Sequence, residues 1–492
     1  MTRLLFPASS DVKPSRRLVR AETGEIAFEA FDPLIAADEQ QVTAVLSIMY
    51  QEPGSPPFII YGPPGTGKTA TIVEAVLQLL SSFREDGPRV LLCAPSNFAT
   101  DLLTYRLANH GVTPADMLRL NAITRDRADG AHNDIIRPYC VTNDDDDYIF
   151  PVLADVLRVR IVVATCGTAS VLQALCVPRT HFTHVFIDEA GYADEPTAMV
   201  PIRAVAGPQT NVILAGDPNQ LRPVVFSHPA AMNGLSISYL ERLMVIKDVY
   251  GLDKQMRGQR TLSMLITNRR SHQAIIRWSN KLLYDSALRA RAPRKIVSRM
   301  LDSPALPNPA FPIVFHGQRG NENRMRKGSV YNEEEAKLVR TYCKQLTEDR
   351  ERPLRPDEIG VITPYKAQVR WIRHLLKSEG LEDVSVGSVE QYQGQERAVI
   401  IISLVRSNAE SNPLRSMGFI DDDRRMNVAF TRAMSMLVVI GDPAVLHKSR
   451  RWHSFLSFVY TNGGCKGEPI RGEIEEQEWA KVADGGTPPN MR

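Results

Sequence analysis

The chain has no long hydrophobic run and no pair of cysteines spaced as C-x-x-C. Its six cysteines lie far apart, which argues against both a zinc module and a disulfide framework. The longest apolar runs, such as Ala398–Val405, are far shorter than the roughly 20 residues that cross a bilayer. The first residues also lack the long apolar region of a secretory signal. We therefore expect a soluble protein with no membrane partner.

A strong excess of charge of one sign is absent as well. The 59 Lys and Arg residues nearly balance the 56 Asp and Glu residues, for a net charge of +3. This balance does not by itself indicate a polyanionic partner, so any nucleic acid must bind in a local groove. The acidic run at 144–147 lacks the interleaved spacing of a metal loop and favours a solvated loop. At 492 residues and 43% hydrophobic, the chain can fill two or three domain cores.

A phosphate-binding loop follows the short apolar run at 57–61. Residues 62–69 read G-P-P-G-T-G-K-T, a complete Walker A motif. Its glycines allow positive φ angles or close approach, so that backbone N–H groups and a helix N-terminus face a triphosphate. Lys68 would supply charge and Thr69 a magnesium ligand. The predicted nucleotide-binding residues of this loop are Gly62, Pro63, Pro64, Gly65, Thr66, Gly67, Lys68 and Thr69.

A second motif carries paired carboxylates. The apolar run at 184–187 predicts a strand that delivers Asp188 and Glu189 to the carboxyl edge of a sheet, where ligands of open α/β sheets bind. Asp188 is predicted to hold Mg²⁺, directly or through water, and Glu189 to orient or deprotonate the attacking water. Another predicted strand, at 212–215, leads to Gln220, which could sense the γ-phosphate. ATP and Mg²⁺ are the expected cofactors.

Further motifs resemble those of one helicase family. In the first half, the members in order are Gln41, 62–69, 94–97 (A-P-S-N), 188–191 (D-E-A-G), 216–220 (G-D-P-N-Q) and 268–272 (N-R-R-S-H). In the second half they are 362–368 (I-T-P-Y-K-A-Q), 387–396 and 425–432. Together they resemble superfamily 1 helicases of the up-frameshift-like group. The D-E-A-G motif and the segments 182–188, 311–317 and 462–464 are most similar to the Armitage and silencing-defective RNA helicases.

The fold expected from the sequence is α/β. Strands alternate with helical patterns in both halves, which predicts parallel sheets, and we expect two tandem RecA-like P-loop domains. The first is predicted over 1–250, with a small insertion at about 104–158, and the second over 251–465. Residues 466–492 are predicted to be a disordered tail.

The resemblance implies an ATP-dependent RNA helicase or translocase that moves 5′ to 3′ on single-stranded RNA, in RNA silencing or RNA turnover. Two alternatives stay open at this point: an ATP-gated RNA clamp or scaffold that does not unwind, and a DNA helicase. The expected partners are single-stranded RNA and RNA-silencing proteins. We expect a monomer in the cytoplasm, including its ribonucleoprotein granules.

The resemblance also assigns roles to single residues. Arg432, predicted on a helix over 424–433, and Arg270 resemble arginines that neutralise charge on the γ-phosphate. Gln41 occupies the position of a glutamine that reads adenine, with Gln40 as the alternative register. Tyr365 either stacks on the base or belongs to the core, and Glu396 is assigned to the nucleotide. Polar or loop residues after predicted strands are assigned to RNA phosphates: Ser96, Asn97, Thr165, Thr363, Pro364 and Ser388.

Overall fold

The computed structural model describes residues 2–81, 87–126, 133–325, 328–407 and 420–470. The chain divides into two compact units, Met1–Ile266 and Thr267–Arg492. The division therefore falls later than the predicted boundary at 250. The reason is that strand Leu262–Met264 pairs with strand Phe58–Tyr61 and so belongs to the sheet of the first unit. Residues 471–492 of the predicted tail lie outside the described residues.

The first unit is built on a parallel sheet. Its strands are Phe58–Tyr61 (β1), Val90–Ala94 (β2), Met117–Leu120 (β3), Ile161–Thr165 (β4), His184–Ile187 (β5), Asn211–Gly216 (β6) and Leu262–Met264 (β7). In the described residues their order is β3-β4-β2-β5-β6-β1-β7, and every neighbouring pair is parallel. The sequence did not predict β3 and β7, because both are short and a polar residue interrupts their apolar pattern.

Helices precede and connect these strands. They are Thr2–Leu5 (α1), Arg16–Glu22 (α2), Pro33–Ala36 (α3), Glu39–Met49 (α4), Lys68–Ser81 (α5), Asn97–Asn109 (α6), Asn133–Ile136 (α7), Leu153–Arg158 (α8), Ser170–Ala174 (α9), Glu195–Val205 (α10), His228–Ala230 (α11), Tyr239–Met244 (α12) and Lys247–Tyr250 (α13). The insertion predicted at about 104–158 begins too early, since α6 and β3 belong to the central α/β layers. The segment that interrupts them lies between β3 and β4, and its residues 127–132 are outside the described ones.

The second unit has its own parallel sheet. The strands of this unit are Thr267–Asn268 (β8), Arg289–Ala290 (β9), Ile313–Gly317 (β10), Asn323–Arg324 (β11), Val330–Tyr331 (β12), Ile359–Ile362 (β13), Ser385–Gly387 (β14), Arg397–Ser403 (β15), Ala433–Gly441 (β16) and Cys465–Gly467 (β17). Strands β8 and β9 form a separate two-stranded sheet, and so do β11 and β12. Over the described residues, the main sheet has the order β14-β13-β15-β16-β10-β17. Because β17 pairs with β10, the predicted tail also begins too early: residues 466 and 467 belong to the sheet.

The helices of the second unit are Gln273–Leu283 (α14), Arg294–Val297 (α15), Glu333–Thr347 (α16), Lys366–Lys377 (α17), Asp423–Phe430 (α18), Pro443–Leu446 (α19) and Arg450–Thr461 (α20). Helix α18 ends before Arg432, which the sequence had placed on the helix. The fold class is the predicted one, an α/β protein of two RecA-like domains with parallel sheets. Among the described residues, no helix combines the length and apolar character that a membrane span requires.

Candidate nucleotide and nucleic-acid sites

The phosphate loop joins a buried strand to a long helix. All of β1 is buried, and α5 begins at Lys68. Gly65 and Gly67 have φ angles of 70° and 86°, which residues with a side chain rarely adopt. Gly62 is needed for a different reason: a Cβ atom there would lie 2.1 Å from Cγ of Lys68. Nζ of Lys68 donates a hydrogen bond to the Gly62 carbonyl at 2.7 Å, so the lysine lies along the loop.

The two predicted magnesium ligands meet, although 119 residues separate them. Oγ1 of Thr69 donates to Oδ2 of Asp188 at 2.9 Å. Asp188 is only 2% exposed, and burial together with the neighbouring Glu189 carboxylate raises its pKa to about 6, against the opposing effects of Lys68 and Thr69. Hydroxyl and carboxylate oxygens are ligands that Mg²⁺ prefers. This pair of side chains therefore fits a magnesium ion beside the phosphate loop.

Glu189 has a strained backbone. Its φ angle is 51°, and its N–H donates to Oδ1 of Asp188 at 2.8 Å. A non-glycine residue in the left-handed region costs free energy, and such residues cluster at functional sites. The strain thus lies at the residue predicted to orient the attacking water.

Gln220 lies in the loop that follows strand β6, the neighbour of β1 in the sheet. Its amide Nε2 donates to Oδ2 of Asp217 at 3.0 Å, and the side chain is 5% exposed. The Gly62 N–H donates to the Gly216 carbonyl at 3.0 Å, which places the end of β6 directly beside the phosphate loop. The structure therefore brings Gln220 to the predicted nucleotide site and shows that Asp217, which sequence reasoning missed, holds its amide.

Gln41 contacts the phosphate loop itself. Its Nε2 donates to the Thr71 hydroxyl at 2.9 Å and to the Gly67 carbonyl at 3.4 Å, and the residue is 3% exposed. Gln40, the alternative register, is half-buried. In this arrangement Gln41 stabilises the loop and the start of α5. The adenine-reading role stays a prediction.

In the second unit, two residues predicted for the nucleotide form an ion pair. Nε of Arg270 donates to Glu396, and Nη1 donates to the Thr431 carbonyl at 3.4 Å. Arg432 comes directly after Thr431 in the sequence. It is 2% exposed and donates to the carbonyls of Val428 and Gln395, at 3.1 and 3.2 Å. Within this unit, the structure thus places both arginines around the turn that follows α18.

The other predicted residues of the second unit lie in loops after β13 and β14. Thr363 is fully buried, and within the described residues its hydroxyl has no hydrogen-bond partner. Pro364 is half-buried, and so is Tyr365, whose ring centre lies 5.9 Å from the guanidinium of Arg406. Ser388 exchanges hydrogen bonds with Gln391 in its own loop. Pro364 and Ser388 are thus better placed than the buried Thr363 side chain to meet a ligand.

The residues of the first unit predicted to contact RNA share one edge of its sheet. Ser96 caps α6, accepting a hydrogen bond from the Ala99 N–H at 3.2 Å. Asn97 starts that helix, and Thr165 ends β4, the strand that pairs with β2. The hydroxyls of Thr165 and Thr168 are 2.7 Å apart. The structure therefore brings Ser96, Asn97 and Thr165 together at the carboxyl ends of adjacent strands.

Comparisons with known proteins identify the family of the chain. Two family models, each described as an AAA domain, match residues 36–142 and 154–228 in one case and 235–444 in the other. RNA helicase Mov10l1 of Homo sapiens is 40% identical over 450 residues, which are 89% of this chain and 36% of that protein. This chain belongs to the up-frameshift-like superfamily 1 helicases. It lies near the MOV-10 and Armitage group of that family.

Other relatives support the same placement in the superfamily 1 helicases. Putative helicase MOV-10 of Gallus gallus is 38% identical over 475 residues, covering 91% of this chain and 49% of that protein. Probable RNA helicase armi of Drosophila melanogaster is 32% identical over 474 residues, covering 86% and 38%. The chain spans less than half the length of these relatives. An arterivirus helicase structure aligns over 78% of this chain and 59% of its own, at 16% identity and a TM-score of 0.39.

One residue of this superfamily 1 helicase that sequence reasoning missed lies next to a predicted RNA contact. Arg119 is completely buried in β3, and its Nη2 donates to Oδ1 of Asn97 at 3.2 Å. The signal was present in the sequence, since an arginine interrupts the short apolar run M-L-R-L. A charged residue in a buried strand needs partners, but nothing in its spacing names Asn97.

Proposed function

We propose that this chain is the ATP-driven motor of an RNA helicase that translocates 5′ to 3′ along single-stranded RNA and unwinds duplexes. The observation that carries the proposal is the contact between Thr69 and Asp188 at the phosphate loop, with the strained Glu189 next in sequence. The relatives named RNA helicase Mov10l1 and probable RNA helicase armi support RNA as the nucleic acid.

The chemistry proposed for the first unit is hydrolysis of ATP. Lys68 and the N–H groups of the loop bind the phosphates. Thr69 and Asp188 would hold Mg²⁺, which supplies charge neutralisation to the phosphoryl group. Glu189 orients the attacking water and accepts its proton. Gln220, whose amide donates to Asp217, is proposed to respond to the γ-phosphate.

The second unit contributes the arginines. We propose that Arg432 and Arg270 neutralise the charge that develops on the transferred phosphoryl group, as arginine fingers do. The planar guanidinium of an arginine suits this task better than the point charge of a lysine. Glu396, which pairs with Arg270, sets the position of that side chain.

In the first unit, RNA is proposed to contact Ser96, Asn97 and Thr165. In the second unit, it is proposed to contact Pro364 and Ser388. Contacts of this kind go to phosphates and do not depend on base sequence. By resemblance to the Armitage group, we propose a role in RNA silencing, with silencing proteins as partners, in the cytoplasm and its ribonucleoprotein granules.

The test compares nucleic acids at equal length. ATP hydrolysis is measured with single-stranded RNA or DNA, and unwinding is measured on duplexes with a 5′ or a 3′ overhang. We expect stronger stimulation by RNA and unwinding only from the 5′ overhang, with Glu189→Gln as the inactive control. Stimulation without unwinding would favour the clamp, and equal stimulation by DNA would contradict the RNA assignment.

A further inference from the structure

In the first unit, a carboxylate of helix α6 and two arginines form a buried cluster of charged side chains. Asp101 of that helix accepts hydrogen bonds from two arginines: from Nε of Arg119 at 3.1 Å, and from Nη1 and Nη2 of Arg125 at 3.0 and 2.5 Å. The exposed fractions of these side chains are 0% for Arg119, 3% for Arg125 and 6% for Asp101. Two guanidinium groups thus share one carboxylate, although buried charges usually occur in balanced pairs.

Arg119 reaches from this cluster to the predicted RNA contact. Its Nη2 donates to Oδ1 of Asn97 at 3.2 Å and to the Thr100 hydroxyl at 2.6 Å, and its Nη1 donates to the Leu120 carbonyl at 2.7 Å. A guanidinium group has five N–H donors and no hydrogen-bond acceptor. The oxygen of the Asn97 amide, and not its NH₂ group, must therefore face Arg119.

The orientation of this amide has a chemical consequence. With Oδ1 of Asn97 engaged, the NH₂ group is the free end, and it has no hydrogen-bond partner in the part of the chain that the structure describes. Asn97 is half-buried at the first turn of α6, where backbone N–H groups and the helix dipole also favour an anion. An NH₂ donor suits a phosphate oxygen, whereas a flipped amide would present an acceptor and repel it.

We propose that Arg119 is a positioning residue for RNA, which holds the Asn97 amide with its NH₂ group available to an RNA phosphate. Asp101 holds Arg119, and Arg125 in turn holds Asp101. The inference rests on the proposed function, because it concerns the same RNA-contact edge.

Arg125 extends the cluster into the segment between β3 and β4. It donates to Oδ1 of Asn121 at 2.7 Å, and its guanidinium lies 5.9 Å from the ring centre of Tyr148. Through the two arginines, the Asp101 carboxylate is therefore connected both to Asn97 and to this segment.

The contacts of Asp101 decide which variant is informative. Arg119→Met leaves Asp101 paired with Arg125, so that no buried charge loses its counter-ion and the protein should fold. Asp101→Asn would remove the buried carboxylate that both guanidinium groups contact, a change that is strongly destabilising. Arg119→Lys keeps the charge but lacks the planar fork that reaches Asp101 and Asn97 at once.

The experiment titrates the full chain with a 20-nucleotide single-stranded RNA and measures the RNA concentration that half-maximally stimulates ATP hydrolysis. Arg119→Met and Asn97→Ala should each raise that concentration about tenfold, and the double variant should raise it no further, because both act through one contact. Arg119→Lys should not rescue. For Arg119→Met, turnover at saturating RNA should change far less than the half-saturating concentration.

A matched control variant and a second measurement distinguish a failure of this inference from a failure of the proposed function. Arg242→Met removes another arginine of this unit, which pairs with Glu195 at 2.7 Å, and should leave the RNA titration unchanged. In RNA-free protein, amide hydrogen exchange over 95–100 should be faster in Arg119→Met than in the parent. Additive effects, an equal shift in Arg242→Met, or unchanged exchange would overturn the inference. A parent protein that RNA does not stimulate would overturn the proposed function instead.

Discussion

Gly62→Ala tests whether the phosphate loop works through the placement of Lys68. The added Cβ atom would lie 2.1 Å from Cγ and 2.7 Å from Cδ of that lysine, whereas ordinary contacts begin at 3.4 Å. Lys68 therefore has to move by roughly 1 Å or more, although its charge is unchanged. A displacement of this size at a catalytic contact can cost about 10²-fold in rate.

We expect the turnover of ATP by Gly62→Ala to fall about 10²-fold and the free energy of unfolding to fall by about 1–3 kcal/mol, the usual cost of overpacking. ATP hydrolysis, binding of a fluorescent ATP analogue and thermal unfolding are the measurements. Gly167→Ala is the matched control, because a Cβ there would meet nothing within 4 Å and its φ angle is not positive.

The double variant Gly62→Ala/Lys68→Ala identifies the cause. If the new methyl group acts by displacing the lysine, the double variant should be no slower than Lys68→Ala alone. Turnover by Gly62→Ala within threefold of the parent would refute this reasoning, since it would mean that the position of the lysine does not matter.

Three further predictions concern other parts of the chain. Glu189→Gln should keep ATP and Mg²⁺ bound but stop hydrolysis, because the amide cannot accept the proton; normal turnover would remove Glu189 from the mechanism. Arg432→Ala should lower turnover about 10³-fold with little change in ATP affinity, and Arg432→Lys should rescue poorly; turnover within a fewfold of the parent would exclude the arginine-finger role. Burial raises the pKa of Glu335 to about 8, above its unfolded value of about 4.3, so the free energy of unfolding should fall as pH rises between these values. Glu335→Gln, which cannot titrate, should lose less stability between pH 5 and pH 9, and equal losses measured by denaturant unfolding would contradict the role of burial.

Much of the nucleotide site was predictable from sequence because its parts are local. The spacing within 62–69 dictates which backbone positions need glycine, and a strand that ends at 187 must deliver Asp188 and Glu189 to the sheet edge. These local patterns predict that Thr69 and Asp188 both lie at the carboxyl edge of a parallel sheet, whereas their contact across 119 residues depends on the strand order. The two RecA-like domains were predictable for the same reason, since alternating strand and helix patterns imply parallel sheets.

Side-chain partners between distant segments were decided by the tertiary structure alone. Gln41 lies on the phosphate loop, and Arg270 pairs with Glu396 across 126 residues. No spacing rule gives either contact, because each depends on how separate elements pack. The fully buried hydroxyl of Thr363 shows the same limit, since a polar residue after a strand need not face a ligand.

The sequence by itself determined the phosphate loop, the paired carboxylates, the α/β class and the helicase family, because these follow from short-range spacing and backbone periodicity. The tertiary structure decided that the first unit ends after β7 and that Arg119 reaches Asn97 from a different strand. Both depend on the strand order β3-β4-β2-β5-β6-β1-β7, which brings together segments that are far apart in the chain. Strand order results from packing the whole sheet, so no local pattern of residues encodes it.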